Sequence, residues 1–269
     1  MKHPTSGARL TLAAMLLSLA VAAAAQTAST PAAAPSPGSQ PSAADEAQAR
    51  EIVERADEIR FPDESFTVEV RVSSTSGGAE QEPRLYRILS RGSEDTIIQT
   101  LEPTLERGQN LLMKGRELWV FMPSVSQPVR LSLSQRLTGQ VANGDLARLG
   151  FARDYLPKII GSETIDGKEH HVIELVAEER SMTYPRIRYW VRAADSHPHK
   201  AEFYSLSGRL LKTCRFEEFR SLGGRIRPTR LVMTDALRAG DESVLRYSAL
   251  KVQPLPARMF SKEYLKKLE

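Results

Sequence analysis

A single cysteine, Cys214, in 269 residues rules out an internal disulfide framework. Stability must come from a hydrophobic core, which a chain of this length can bury. Cys214 lies in the alternating run Leu210-Leu211-Lys212-Thr213-Cys214-Arg215-Phe216, a pattern that predicts a buried, inert thiol on a strand. Past the N-terminus no apolar run reaches the roughly 20 residues of a membrane span, so the chain is not expected to be membrane-spanning. Charge of one sign is scarce as well: the balance is +4, and no lysine/arginine block interleaved with aromatics appears. Nucleic acid is therefore not an expected partner. Arg180, Arg186, Arg188 and Arg192 read as the solvated face of a sheet.

Catalytic signatures are missing too. There is no Gly-x-Ser-x-Gly elbow, no phosphate loop and no His-Glu-x-x-His helix. His197 and His199 flank Pro198 after Asp195-Ser196, which marks an exposed turn rather than a metal fragment, and no third ligand is evident nearby. The acid pairs Glu178-Glu179 and Glu217-Glu218 are consecutive, so on regular strands they point to opposite faces and cannot act as an acid/base couple. The expectation is a protein that is not an enzyme and holds neither cofactor nor metal.

What is present begins with an export signal. Lys2, His3 and Arg9 form a basic start, residues 10–21 an apolar stretch, and Ala23-Ala24-Ala25 a small-residue cleavage pattern before Gln26. The position after the cleavage site is not a cysteine, so no lipid anchor is expected. Residues 1–25 thus read as a cleaved signal peptide, and residues 26–44, rich in Pro, Ser and Ala, as a disordered spacer. The folded domain should cover residues 45–269, in the periplasm.

Within it, Asp45 is expected to cap a helix with apolar positions at Ile52, Val53, Ala56 and Ile59, closed by Pro62. Strand patterns follow. Phe66, Val68, Val70 and Val72 alternate with polar residues, and residues 111–113 and 118–122 form a hairpin around Lys114-Gly115-Arg116-Glu117. Turn signals recur about every ten residues, the rhythm of an antiparallel meander rather than of βαβ units. A helical section is expected over residues 134–151 and a last helix from Ser261. The fold class is mainly β (α+β): an unclosed antiparallel β-barrel or strongly curved sheet, with helices covering its mouth.

The stretch Leu111-Leu112-Met113-Lys114-Gly115-Arg116-Glu117-Leu118-Trp119-Val120-Phe121-Met122-Pro123 leads into Pro128-Val129-Arg130-Leu131, Gln135-Arg136-Leu137-Thr138-Gly139 and Asn143-Gly144-Asp145-Leu146. Gly161-Ser162-Glu163-Thr164-Ile165-Asp166-Gly167, Tyr184-Pro185-Arg186-Ile187 and Pro198-His199-Lys200-Ala201-Glu202-Phe203-Tyr204 follow in order. In that order the segments resemble the outer membrane lipoprotein-sorting protein group, relatives of the LolA/LolB lipoprotein carriers. The resemblance implies an open barrel whose helices lid an apolar cavity for acyl chains, with lipoprotein acyl chains or lipid as partners and an inner-membrane transporter as a further one.

Strand chemistry agrees with such a ligand, because an incompletely closed sheet can hold a cavity. The candidate lining residues are Leu111, Met113, Trp119, Phe121 and Met122. Trp119 and Phe121 share one face of their strand and Val120 and Met122 the other, so at most one pair can face a cavity. Burying hydrocarbon gives about 0.8 kcal/mol per methylene, so one long chain contributes on the order of 10 kcal/mol without any charged site. The competing reading is a non-catalytic accessory module that docks on an inner-membrane transporter or envelope assembly, its interior filled by its own side chains.

Overall fold

The computed structural model describes residues 43–92 and 94–268. The expected signal peptide and all but the end of the spacer lie outside the described residues. Helix α1 (Ala43–Arg60) buries Ala49, Ile52, Val53, Ala56 and Arg60 along one stripe. Asp45 is not its cap. It lies inside the first turn, where with Glu46 it places negative charge at the positive end of the helix dipole. At the other end Pro62 ends the helix, since it has no N–H to donate. The last carbonyls are satisfied by a buried arginine instead: Arg227 Nη1 donates to Glu58 O at 2.6 Å and Ile59 O at 3.1 Å.

The first run of strands is β1 (Phe66–Ser76), the short β2 (Ala79–Glu80), β3 (Arg84–Arg91), β4 (Asp95–Glu102), β5 (Asn110–Lys114), β6 (Glu117–Phe121) and β7 (Val129–Leu131). The second is β10 (Tyr155–Ile165), β11 (Lys168–Ala177), β12 (Arg186–Arg192), β13 (Pro198–Tyr204), β14 (Leu210–Leu222), β15 (Arg225–Asp235) and β16 (Glu242–Val252). Together they make one 14-stranded antiparallel sheet in which β10 to β16 follow in chain order, β16 pairs β1, and β1 continues through β3 to β7. The seam registers Val70 opposite Tyr247 and Val72 opposite Leu245. β7 and β10 are its two ends and do not pair, so the sheet is curved but unclosed.

In β1 the expected alternation holds, with Phe66, Val68, Val70 and Val72 buried against α1 and the core and Arg71 outside. β4 and β5 do not alternate, because both of their faces are covered. On the concave side they meet the main core. On the outer side a C-terminal strap, residues 253–268, crosses them and packs Phe260 and Leu265 onto Leu89, Ile97 and Leu112. The strap carries the expected last helix, α3 (Lys262–Leu265), whose capping Ser261 Oγ accepts from Tyr264 N at 3.1 Å.

The helical section expected over residues 134–151 is mostly something else. A small hairpin, β8 (Arg136–Thr138) with β9 (Val141–Ala142), precedes the single short helix α2 (Asn143–Ala147). Gly139 decides this: it turns the hairpin with a φ of +49°, a region that favours glycine. It also lies so close to the seam that a Cβ would collide with the hydroxyls of Ser74 and Ser243.

Candidate functional site

The hairpin of β5 and β6 registers Leu111 opposite Val120, Met113 opposite Leu118, Leu112 opposite Trp119 and Asn110 opposite Phe121. Side chains alternate across a strand, and the five candidate residues are therefore not one group. Leu111 and Met113 are buried in the main concave core, with Met122 packed against it. Trp119 and Phe121 project from the other face and pack under the C-terminal strap, with Lys262 Nζ 4.0 Å from the Trp119 ring centre. Of the two strand-face pairs, Val120 and Met122 thus share the side of Leu111 and Met113, and Trp119 and Phe121 lie on the other. The outer face carries its own apolar cover, and the strap's residues Leu255, Met259, Phe260, Tyr264 and Leu265 were the overlooked signal for it.

The concave face is covered by α1 and by residues 132–154, which connect the two ends of the sheet. The connecting segment is tied to β14 by an interior ion pair: Lys212 Nζ lies 2.6 Å from Asp145 Oδ2, both side chains buried. Lys212 also donates to Gln140 O at 2.7 Å and faces the rings of Tyr184 and Phe203. Asp145 accepts from Tyr184 Oη at 2.9 Å and from Ala142 N at 2.8 Å. Burial, reinforced by the neighbouring Asp145, holds the Tyr184 phenol well above its usual range. Arg148 pairs with Asp154 and donates to Gly115 O at 2.7 Å, joining the segment to the β5–β6 turn.

Arg60, the last residue of α1, enters the core. Its guanidinium carbon sits 4.5 Å from the Phe151 ring centre and 5.4 Å from that of Phe216, and Nη1 is 3.4 Å from Asp57 Oδ1. Asp57 Oδ2 is engaged elsewhere, accepting from the N–H groups of Phe151 and Ala152 at 2.6 and 2.8 Å. Burial pushes the Asp57 carboxyl up to about 6, Arg60 and the two amides offsetting only part of that effect. The Tyr189 hydroxyl is buried beside Arg60. The legible signal for Arg60 was its position, four residues past Ala56 and seven past Val53 on the apolar stripe of α1.

Two cavities adjoin this cluster. A groove of about 360 Å³ at the C-terminal end of α1 is lined by a mixed set that includes Asp57, Glu58, Asp63, Arg148 and Arg153. Deeper, under the connecting segment, a cavity of about 30 Å³ has a mixed lining that includes Arg60, Asp145, Asp154, Met182, Phe203 and Phe216. The second has room for about two waters. Burial raises the Cys214 thiol beside it to about 12, as fits an inert group.

Elsewhere His199 lies against His170, ring centres 4.8 Å apart, while His197 lies apart from them against Phe219. Among the described residues no group of three His, Cys, Asp or Glu could hold a metal. Glu217 and Glu218 depart from the expected opposite faces. Glu218 takes a φ of +51°, with the β14–β15 register unchanged on either side of it, and both carboxylates reach Arg230 in a surface ion-pair cluster with Arg215, Arg220 and Arg246.

An open antiparallel sheet, lidded on its concave side by a helix and a connecting segment, is the architecture that the sequence resemblance implies. The chain belongs to the LolA superfamily. A LolA superfamily protein from Nitrosomonas europaea is 53% identical, with a TM-score of 0.77 over 80% of this chain and 98% of that one. A putative outer membrane lipoprotein-sorting protein domain from Vibrio parahaemolyticus and a DUF1329 family protein from Desulfovibrio piger each reach a TM-score of 0.71 at 21% identity, over 82% of this chain and 99% of theirs. At that identity they support the fold alone. A family model described only as "-like: Uncharacterized protein" matches residues 92–267. No curated protein matches the sequence. Among the described residues no helix is long and apolar enough to cross a membrane.

Proposed function

We propose that this protein is a non-catalytic periplasmic carrier that shields acyl chains of lipoproteins or free lipids on the concave face of its sheet and passes them towards the outer membrane. The observation that carries this reading is the nature of the cover. The apolar concave face, including Leu111, Met113, Leu118 and Val120, is closed by α1 and residues 132–154, which carry a two-stranded hairpin and one short helix, rather than by a second large sheet. Both pieces pack on the sheet through buried apolar side chains as well as polar links, as separate units that can lift independently of the strands beneath. Lifting is required, since the interior cavity of about 30 Å³ admits no acyl chain as it stands. Leu111, Met113 and Met122 are the proposed lining residues, and the flexible thioethers of the two methionines adapt to chains of varied shape.

Native mass spectrometry and lipid extraction of the purified protein, with uptake of the apolar fluorophore N-phenyl-1-naphthylamine, test this reading. Copurifying acyl species or saturable uptake support it. A lipid-free protein that takes up no fluorophore contradicts it and favours the accessory module, a reading to which the small interior cavity also lends support. A stable complex with an envelope protein would then be expected.

A further inference from the structure

The two open ends of the sheet are not alike. β7 has 3 residues, whereas β10 has 11, and its outer face carries exposed Leu156 and Ile160, with exposed Val176 of β11 opposite Leu156. Part of the β10 backbone faces this open side. Tyr155 and Ala177 are in register, yet their N–H groups donate to Phe151 O and Pro185 O and not to each other. By alternation Ile159 also faces outward, and so does Pro157, where a proline forfeits no ladder bond. Further along, Glu169 O accepts from Ala193 N on the far side of β11, so Thr164, paired with Glu169, faces the open side together with Ser162.

Between these two stretches lies a bulge. Ile159 pairs with Ile173 and Gly161 with Val172, which leaves Ile160 as an extra residue. The bulge makes β10 symmetric about itself. Lys158 and Glu163 would occupy opposite faces of a regular strand, but their partners Glu174 and His170 share one face of β11, so the two charges share a face as well. In ladder steps from the bulge, Lys158 and Glu163 lie equally far on either side. The same holds for Leu156 with Ile165 and for Ile159 with Ser162.

We propose that the protein forms a two-fold dimer through β10, two copies pairing antiparallel about an axis through the bulge. Lys158 of each copy then faces Glu163 of the other, Leu156 faces Ile165, and the outward backbone groups of Ile159 meet those of Ser162. A lysine and a bulge are devices by which an edge rejects foreign strands. Here they fit a second copy, because the opposite charge and the same bulge recur at the matching places, as a self-complementary interface requires. Gly161 leaves room beside the axis, where nothing approaches the position its Cβ would take. This inference is independent of what the concave face binds.

Sedimentation velocity of the chain from Gln26 onward, across the micromolar range, should show a monomer–dimer equilibrium. Lys158→Glu turns both ion pairs of the interface into like-charge pairs and should weaken dimerisation about ten-fold or more. Glu163→Lys should do the same. Glu163 also accepts from Trp190 Nε1 at 2.6 Å, so melting temperatures are recorded alongside and the decision rests on Lys158→Glu and the double variant. The double variant, with the charges exchanged, should recover most of the association. A wild-type chain that stays monomeric overturns the proposal. So does a dimer that Lys158→Glu leaves intact or that the exchange does not restore.

Discussion

Replacing Asp145 by alanine should destabilise the protein more than removing its partner Lys212, although the two share one contact. Asp145→Ala leaves the Lys212 ammonium buried with one oxygen acceptor, Gln140 O, a weak bond to Met233 Sδ and the faces of two aromatic rings. An uncompensated charge in such a place costs about 3–5 kcal/mol. Lys212→Met leaves Asp145 with the Tyr184 hydroxyl and the Ala142 N–H, and the methionine fills most of the lysine's volume. Its cost is about 2 kcal/mol, that of one hydrogen bond to a charged group. Because the residues touch, the double variant should be less destabilised than the sum of the singles by about 1–3 kcal/mol. For a domain of this size each kcal/mol moves the melting temperature by about 2–4 °C, which places Asp145→Ala roughly 10 °C below wild type. Urea unfolding followed by tryptophan fluorescence gives all four corners of the cycle. Additive singles, or a Lys212→Met cost above that of Asp145→Ala, would refute the reasoning that this pair pins the cover to the sheet.

Asp57, raised to about 6 from an ordinary value of 3.8, prefers its proton in the folded state. Its contribution to stability is present in full below pH 4 and is lost as pH rises through 6, roughly 3 kcal/mol in all. The unfolding free energy of wild type relative to Asp57→Asn should therefore fall between pH 4 and pH 7, and a difference that stays constant would contradict the assignment. Phe260→Ala empties a fully buried site under the strap. It should cost about 3–5 kcal/mol and red-shift the emission of Trp119, and unaltered emission and melting would show that the strap does not hold that face. Exported protein should have an intact mass that starts at or near Gln26 with no acyl adduct, and a mass that retains residues 1–25 would remove the cleavage assignment.

The antiparallel meander was legible because its strands alternate wherever one face meets water, as at Val68, Val70 and Val72. The β5–β6 hairpin was legible from its turn. What was hidden follows a common cause: contacts supplied by distant chain. β4 and β5 lose their alternation under the strap, so the period-2 signal that would separate Leu111 from Leu112 is absent there, and large residues on both faces read as one cluster. Residues 134–151 carry apolar side chains at helix-like intervals, yet the close approach of Gly139 to Ser74 and Ser243 imposes a hairpin. At Glu218 a positive φ departs from the regular strand that the sequence reading assumed. Arg60 falls at helical spacing on the buried stripe of α1 but was passed over in the sequence, because an arginine at a helix end ordinarily reaches water and only the packed core shows it buried.

The seam between β1 and β16 has a consequence for biogenesis. The centre of the sheet joins the first strand of the domain to the last, nearly 190 residues apart where Phe66 meets Val252. Every ladder to either side is a local hairpin that can zip early, but the join between the two halves must await the C-terminus. A chain leaving a translocation pore in N-to-C order therefore cannot complete its core until β16 has emerged, and closing so long a loop is slow. Until then the inner edge of β1 is an unpaired strand edge, open to mispairing. The topology thus favours delivery in an unfolded, export-competent form, and it makes loss of the final strand far more damaging than loss of either outer end of the sheet.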